Sequence, residues 1–76
     1  MTWEELKEEA KKMGYHIGKK HISLEVEEKN IKYIFFKDGD VLLEDRGING
    51  VKQIHTGLEY DQMLAIMKAL QQEVKE

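Results

Sequence analysis

Side chains able to do chemistry are few in this sequence and lie far apart. His16, His21 and His55 are its neutral nitrogen ligands, and a zinc site needs three or four ligands converging in space, usually with carboxylate help. No pair of them has the helical spacing that places two imidazoles on one face, so surface or capping roles are expected and no metal ligand is assigned. Asp38-Gly39-Asp40, with Glu44 and Asp45 downstream, clusters hard oxygens in the manner of a calcium loop. It lacks the twelve-residue pattern with its terminal bidentate glutamate, and a hairpin turn accounts for the same residues. For nucleophilic catalysis there is no cysteine, and Ser23 stands alone inside a strand pattern without a G-x-S-x-G elbow, a phosphate-binding loop or a dinucleotide fingerprint. Glu44 and Asp45 are adjacent in an extended segment and point to opposite faces, which prevents joint acid-base work. The expectation is a protein with no catalytic residue, no metal and no cofactor.

Size and charge narrow the classes further. A chain of 76 residues buries only about 60% of the surface it exposes when unfolded, which leaves room for one core. Without cysteine, neither disulfides nor thiolate zinc can reinforce that core. The composition, 41% hydrophobic and 36% charged, is that of a globular domain with a heavily solvated exterior. No apolar run approaches the ~18 residues of a membrane span. The opening Met1-Thr2-Trp3-Glu4-Glu5 lacks a signal-peptide pattern, so a cytoplasmic location is expected. Net charge is −3, and Arg46 is the single arginine among twelve basic residues. That removes the planar forks that read phosphates and base edges, so nucleic acid is not an expected partner. The preference for lysine also fits an AT-rich coding sequence, hence a low-GC bacterium or its phage.

The elements follow from periodicity and capping. Thr2-Trp3-Glu4-Glu5 is a capping box. Trp3, Leu6, Ala10 and Met13 continue it as one apolar stripe, and Gly14 supplies a left-handed stop, which predicts a helix over about residues 3–13. Its charge run is a solvated face with pairs such as Glu8 to Lys12. After a turn through residues 15–18, Ile22, Leu24 and Val26 alternate with polar residues as a half-buried strand. Lys29-Asn30 reverses the chain into residues 31–37, and Asp38-Gly39 is a two-residue hairpin signal into residues 40–44. Asn49-Gly50 offers a further hairpin, so Ile48 and Val51 to Ile54 form either a fourth strand or an ordered loop. A second capping box, Thr56-Gly57-Leu58-Glu59, opens a last helix with Tyr60, Met63, Leu64, Met67, Leu70 and Val74 along one side, His55 stapling onto Tyr60. The fold class is therefore a single α+β domain over residues 1–76: helix, an antiparallel meander of three or four strands, helix.

A two-residue loop at Asp38-Gly39 sets Phe35 opposite Leu42, Phe36 opposite Val41 and Ile34 opposite Leu43. One face of the hairpin then collects Ile22, Leu24, Val26, Tyr33, Phe35 and Leu42. The other carries Ile34, Phe36, Val41 and Leu43 beside Ser23 and Glu25. Either each face is covered, by a helix or by residues 48–54, or both helices share the first face and the second stays open as a contact surface.

This order of elements resembles the double-stranded-RNA-binding domain. The family's loop between its first two strands and its lysine cluster at the last helix are replaced here by Glu27-Glu28-Lys29-Asn30 and Thr56-Gly57-Leu58-Glu59-Tyr60-Asp61, so no RNA-binding residue carries over. The functional expectation is a non-enzymatic protein-interaction module, an adaptor or inhibitor, binding through Ile34, Phe36, Val41 and Leu43. Two alternatives stand beside it: a structural domain that forms a homodimer through the open face or an edge strand, and a small-ligand or metal binder.

Overall fold

The computed structural model describes residues 1–48 and 50–74. Helix α1 (Trp3–Lys12) is followed by strands β1 (His16–Ile17), β2 (His21–Val26), β3 (Ile31–Phe36), β4 (Val41–Asp45) and β5 (Gly50–His55), and then by helix α2 (Tyr60–Val74). The strands form one antiparallel sheet in sequential order, so the α+β class holds with five strands in place of three or four.

Local chemistry explains most boundaries. Thr2 caps α1 reciprocally: its hydroxyl accepts from the Glu5 amide (3.1 Å) and the Glu5 carboxylate accepts from the Thr2 amide (2.8 Å). Those two hydrogen bonds, the backbone one first, hold the Glu5 carboxyl below its ordinary range. The helix ends at Gly14, whose φ of +88° lets the Tyr15 amide reach the Ala10 carbonyl (3.0 Å). On the exposed face of α1 the ion pairs are Lys7 to Glu4 and Lys12 to Glu9, so Lys12 takes Glu9 and not Glu8. β1 is a strand that periodicity does not reveal, since two residues have no period. A tight turn, closed by the Gly18 amide on the His21 carbonyl (2.8 Å), folds it back onto β2. Between β2 and β3 a 3-10 turn over Glu27–Lys29 ends on left-handed Asn30, which realises the expected reversal.

The decisive departure lies in the β3–β4 loop. The Gly39 amide donates to the Phe36 carbonyl (3.0 Å) and the Phe36 amide to the Asp40 carbonyl (2.8 Å), with Gly39 at φ +97°. This is a three-residue loop, Lys37 to Gly39, closed by a left-handed bulge, where the sequence signal suggested two residues. One extra loop residue slides β4 by one position, and with a period of two that turns every β4 side chain to the opposite face. Phe35 therefore pairs with Val41, Ile34 with Leu42 and Tyr33 with Leu43.

The last helix also starts later than its capping box suggests. Thr56 donates its hydroxyl to the Asp40 carboxylate (2.9 Å) and so does not cap. The Leu58 amide docks on the Gly39 carbonyl (3.0 Å). The Glu59 amide instead finds the Gln62 side-chain oxygen (2.9 Å), and α2 begins at Tyr60. Trp3 meets Tyr60, with ring centroids 5.7 Å apart.

Both helices lie on the same side of the sheet. Trp3, Leu6 and Ala10 of α1, Met63, Met67 and Leu70 of α2, and Ile22, Phe35 and Val41 of the sheet form one buried cluster with Tyr15. The side chain of Val74, expected on the same stripe, lies outside those described, as does Asn49 of the expected Asn49-Gly50 turn. Tyr15 joins the two helices: its ring meets the edge of Phe35 at 6.3 Å, and its hydroxyl donates to the Met67 carbonyl (2.8 Å).

Two outcomes follow. A Cβ on Gly39 would sit 2.7 Å from the Leu58 carbonyl oxygen, whereas one on Gly14 meets nothing within 4 Å. Gly39→Ala should therefore lose clearly more stability in urea unfolding than Gly14→Ala, whose cost is the ~1–2 kcal/mol of a left-handed residue alone. Burial, with nearby Tyr33 adding to it, pushes the Tyr15 hydroxyl above its ordinary value of 10.0. The unfolded chain then loses this proton first, so the stability linked to it is present below about pH 10 and declines as pH rises further. Tyr15→Phe should lose about 1 kcal/mol near neutrality and lack that part of the alkaline decline in pH-dependent urea titrations.

Candidate functional site

With both helices on one face, the other face of the sheet is left without a covering layer among the described residues, and register assigns its residues to rows. The middle row crosses all five strands as His16, Ser23, Ile34, Leu42 and Gln53. Toward the β3–β4 loop the next row is His21 and Phe36. On the opposite side lie Glu25, Lys32, Glu44 and Val51. Ile34, Phe36 and Leu42 are half-buried by their neighbours alone, and Val51 is 63% exposed. His21 and Phe36 form a tilted ring pair at 6.3 Å, and Arg46 reaches across to the Glu25 carboxylate at 3.2 Å. The result is an apolar centre with an aromatic flank and a charged flank.

The expected contact set of Ile34, Phe36, Val41 and Leu43 is thus divided by the Gly39 bulge. Ile34 and Phe36 stand on the open face. Val41 is fully buried against Phe35 beneath the helices, and Leu43, in register with Tyr33, shares that covered side. Leu42, which the sequence reading assigned to the core, takes their place on the open face. Only the loop length decides this, and Asp38-Gly39 suits both a two-residue turn and a three-residue loop with a glycine bulge. Residues 50–55 do not fold across the open face, because they extend the sheet as β5.

The chemistry-bearing residues stay dispersed. His16 lies on β1, His21 opens β2 and His55 ends β5. Among the described residues no three histidine, aspartate or glutamate side chains gather as metal ligands. His16 and Ser23 are paired across β1 and β2, but Ser23 is only 2% exposed, which denies its hydroxyl to an incoming carbonyl. The Asp38 carboxylate accepts from the Asp40 amide (3.3 Å) and Asp40 holds Thr56, so both aspartates serve the turn. A hollow of about 310 Å³ lies beside the Glu27–Lys29 turn, floored by Val26, Ile31 and Tyr33. Glu27 and Glu28 on its rim are exposed, and no acid-base pair converges on it.

Comparison with protein-family models, curated proteins and solved structures finds no match to this chain. None of the described helices is long and apolar enough to cross a membrane.

The division of faces is directly measurable. Val41→Ala removes atoms from the packed row and should cost about 2 kcal/mol in urea unfolding, while Leu42→Ala, one residue on, should cost under about 1 kcal/mol. Equal costs would contradict the register.

Proposed function

We propose that this chain is a small protein-binding module, an adaptor or inhibitor that carries out no chemistry of its own and works through the uncovered sheet face. One observation carries the reading: α1 and α2 pack on the same side, leaving Ile34, Phe36 and Leu42 on a face with no second layer. An apolar centre rimmed by Glu25, Lys32, Glu44 and Arg46 has the make-up of a protein contact, in which buried apolar atoms supply affinity and the charged rim supplies register. The net charge of −3 and the single arginine argue against a nucleic-acid partner. Lysine-rich codon usage and small size suit a bacterial or phage gene, and the absence of an apolar spanning helix among the described residues suits a cytoplasmic setting.

The test compares three immobilised chains exposed to one bacterial lysate: unaltered, Phe36→Asp with Leu42→Asp, and Lys11→Glu as a control on exposed α1. Retained protein should fall at least about tenfold for the double variant, since two contact side chains at ~1 kcal/mol or more each exceed that factor. The control should retain it. Undiminished retention by a correctly folded double variant would remove the open face from the function.

A further inference from the structure

The open face has a centre. β3 is the middle strand of five, and Ile34 lies on the middle row, so Ile34 is central both along and across the strands. Phe36 and Lys32 stand two residues to either side of it on β3. His21 and Glu25 flank Ser23 in the same way on β2.

Resting on the reading of this face as a contact surface, we propose that its occupant is a second copy of the chain, stacked sheet on sheet about a two-fold axis that lies in the contact plane and crosses the strands at Ile34. A two-fold contact must be complementary to itself. Aligned stacking leaves two directions for that axis, one close to β3 and one close to its perpendicular, and charge separates them. An axis along β3 sets Lys32 on Lys32 of the second copy at the axis itself, and Glu25, whose carboxylate Arg46 engages, on its Glu44. An axis across the strands sets Lys32 on Phe36 of the second copy and Glu25 on its His21, while Ile34 and Leu42 meet their own images. An ammonium against an aromatic face is attractive, and a carboxylate against an imidazole is at worst neutral. Glu44 then approaches the Asp40 end of the second copy. That contact falls at the rim, where water and salt weaken it, and the Asp40 carboxylate is engaged by Thr56. The two helical layers end up outside, so the assembly reads helix, sheet, sheet, helix, with Ile34 and Leu42 of both copies shut between the sheets.

Strands about 4.8 Å apart and about six residues long give a face of roughly 400 Å² per copy, about 800 Å² in total and below the ~1,000 Å² that a stable specific contact clears, so the dimer is weak and concentration-dependent. In sedimentation equilibrium the mass should rise from 8.9 kDa toward twice that between about 10 and about 500 µM, and Phe36→Asp should weaken association at least about tenfold. The sequence has no cysteine, so introduced thiols report the geometry. With a short bis-maleimide, which spans the ~10 Å between stacked sheets that a disulfide does not, Ile34→Cys should form a cross-linked dimer. Phe36→Cys should link to Lys32→Cys in a mixture and not to itself. Leu42→Cys, on the same row as Ile34, gives the same readout if Ile34→Cys fails to fold. A constant 8.9 kDa mass across that range overturns self-association and leaves the face to a different protein, which the lysate comparison tests separately. A dimer that resists Phe36→Asp and links at none of these positions overturns this docking, and self-linking at Phe36 overturns the crossing axis.

Discussion

The backbone of Gly39 is the constraint on which the arrangement of surfaces depends. Its left-handed conformation admits a third residue into the β3–β4 loop, and the Leu58 backbone rests where a side chain would otherwise stand. With that residue in place Val41 falls beneath the helices and Leu42 faces water. Without it the two would exchange, and the buried row of Ile22, Phe35 and Val41 would lose its third member. A single positive φ therefore decides which apolar residues stabilise the domain and which are free to meet a partner.

The same loop anchors the second helix. Leu58 hydrogen-bonds to Gly39, Thr56 to Asp40, and the Tyr60 hydroxyl to the Lys37 carbonyl (2.8 Å). These contacts fix where α2 starts, and Trp3 then closes over Tyr60 from α1, its indole NH on the Lys19 carbonyl (3.4 Å). Deeper in, Tyr15 ties α1 to the middle of α2. A domain this small has apolar residues for one well-filled layer. It gathers both helices over the row that Val41 completes, and the opposite face keeps Ile34, Phe36 and Leu42 in contact with solvent.

Strong local signals carried much of this architecture. The Thr2 capping box, the Trp3-Leu6-Ala10 stripe and Gly14 were sufficient to delimit α1, because each acts through neighbouring backbone. Period-two alternation marked β2, the turns at Lys29-Asn30 and Asp38-Gly39 bracketed β3, and Met63, Met67 and Leu70 marked the buried side of α2. The rest depended on contacts distant in sequence. β1 exists because β2 is beside it. Thr56 abandons its capping role because Asp40, sixteen residues away, competes for its hydroxyl. Tyr15 gave no periodic signal, since a core residue in a turn belongs to no stripe. Of the expected contact set, Ile34 and Phe36 precede the loop and were placed on the open face correctly. Val41 and Leu43 follow it and inherited its one-residue error.

The hydrogen bond from Tyr15 to Met67 spans 52 residues, and that separation bears on how the chain is made. During synthesis α1 and the five strands leave the ribosome before α2 does, with Ile22, Phe35 and Val41 covered by α1 alone on one side and Ile34, Phe36 and Leu42 bare on the other. Until α2 arrives, the nascent sheet offers one half-covered and one bare face to any chaperone within reach, and its commitment to the native state waits on that helix.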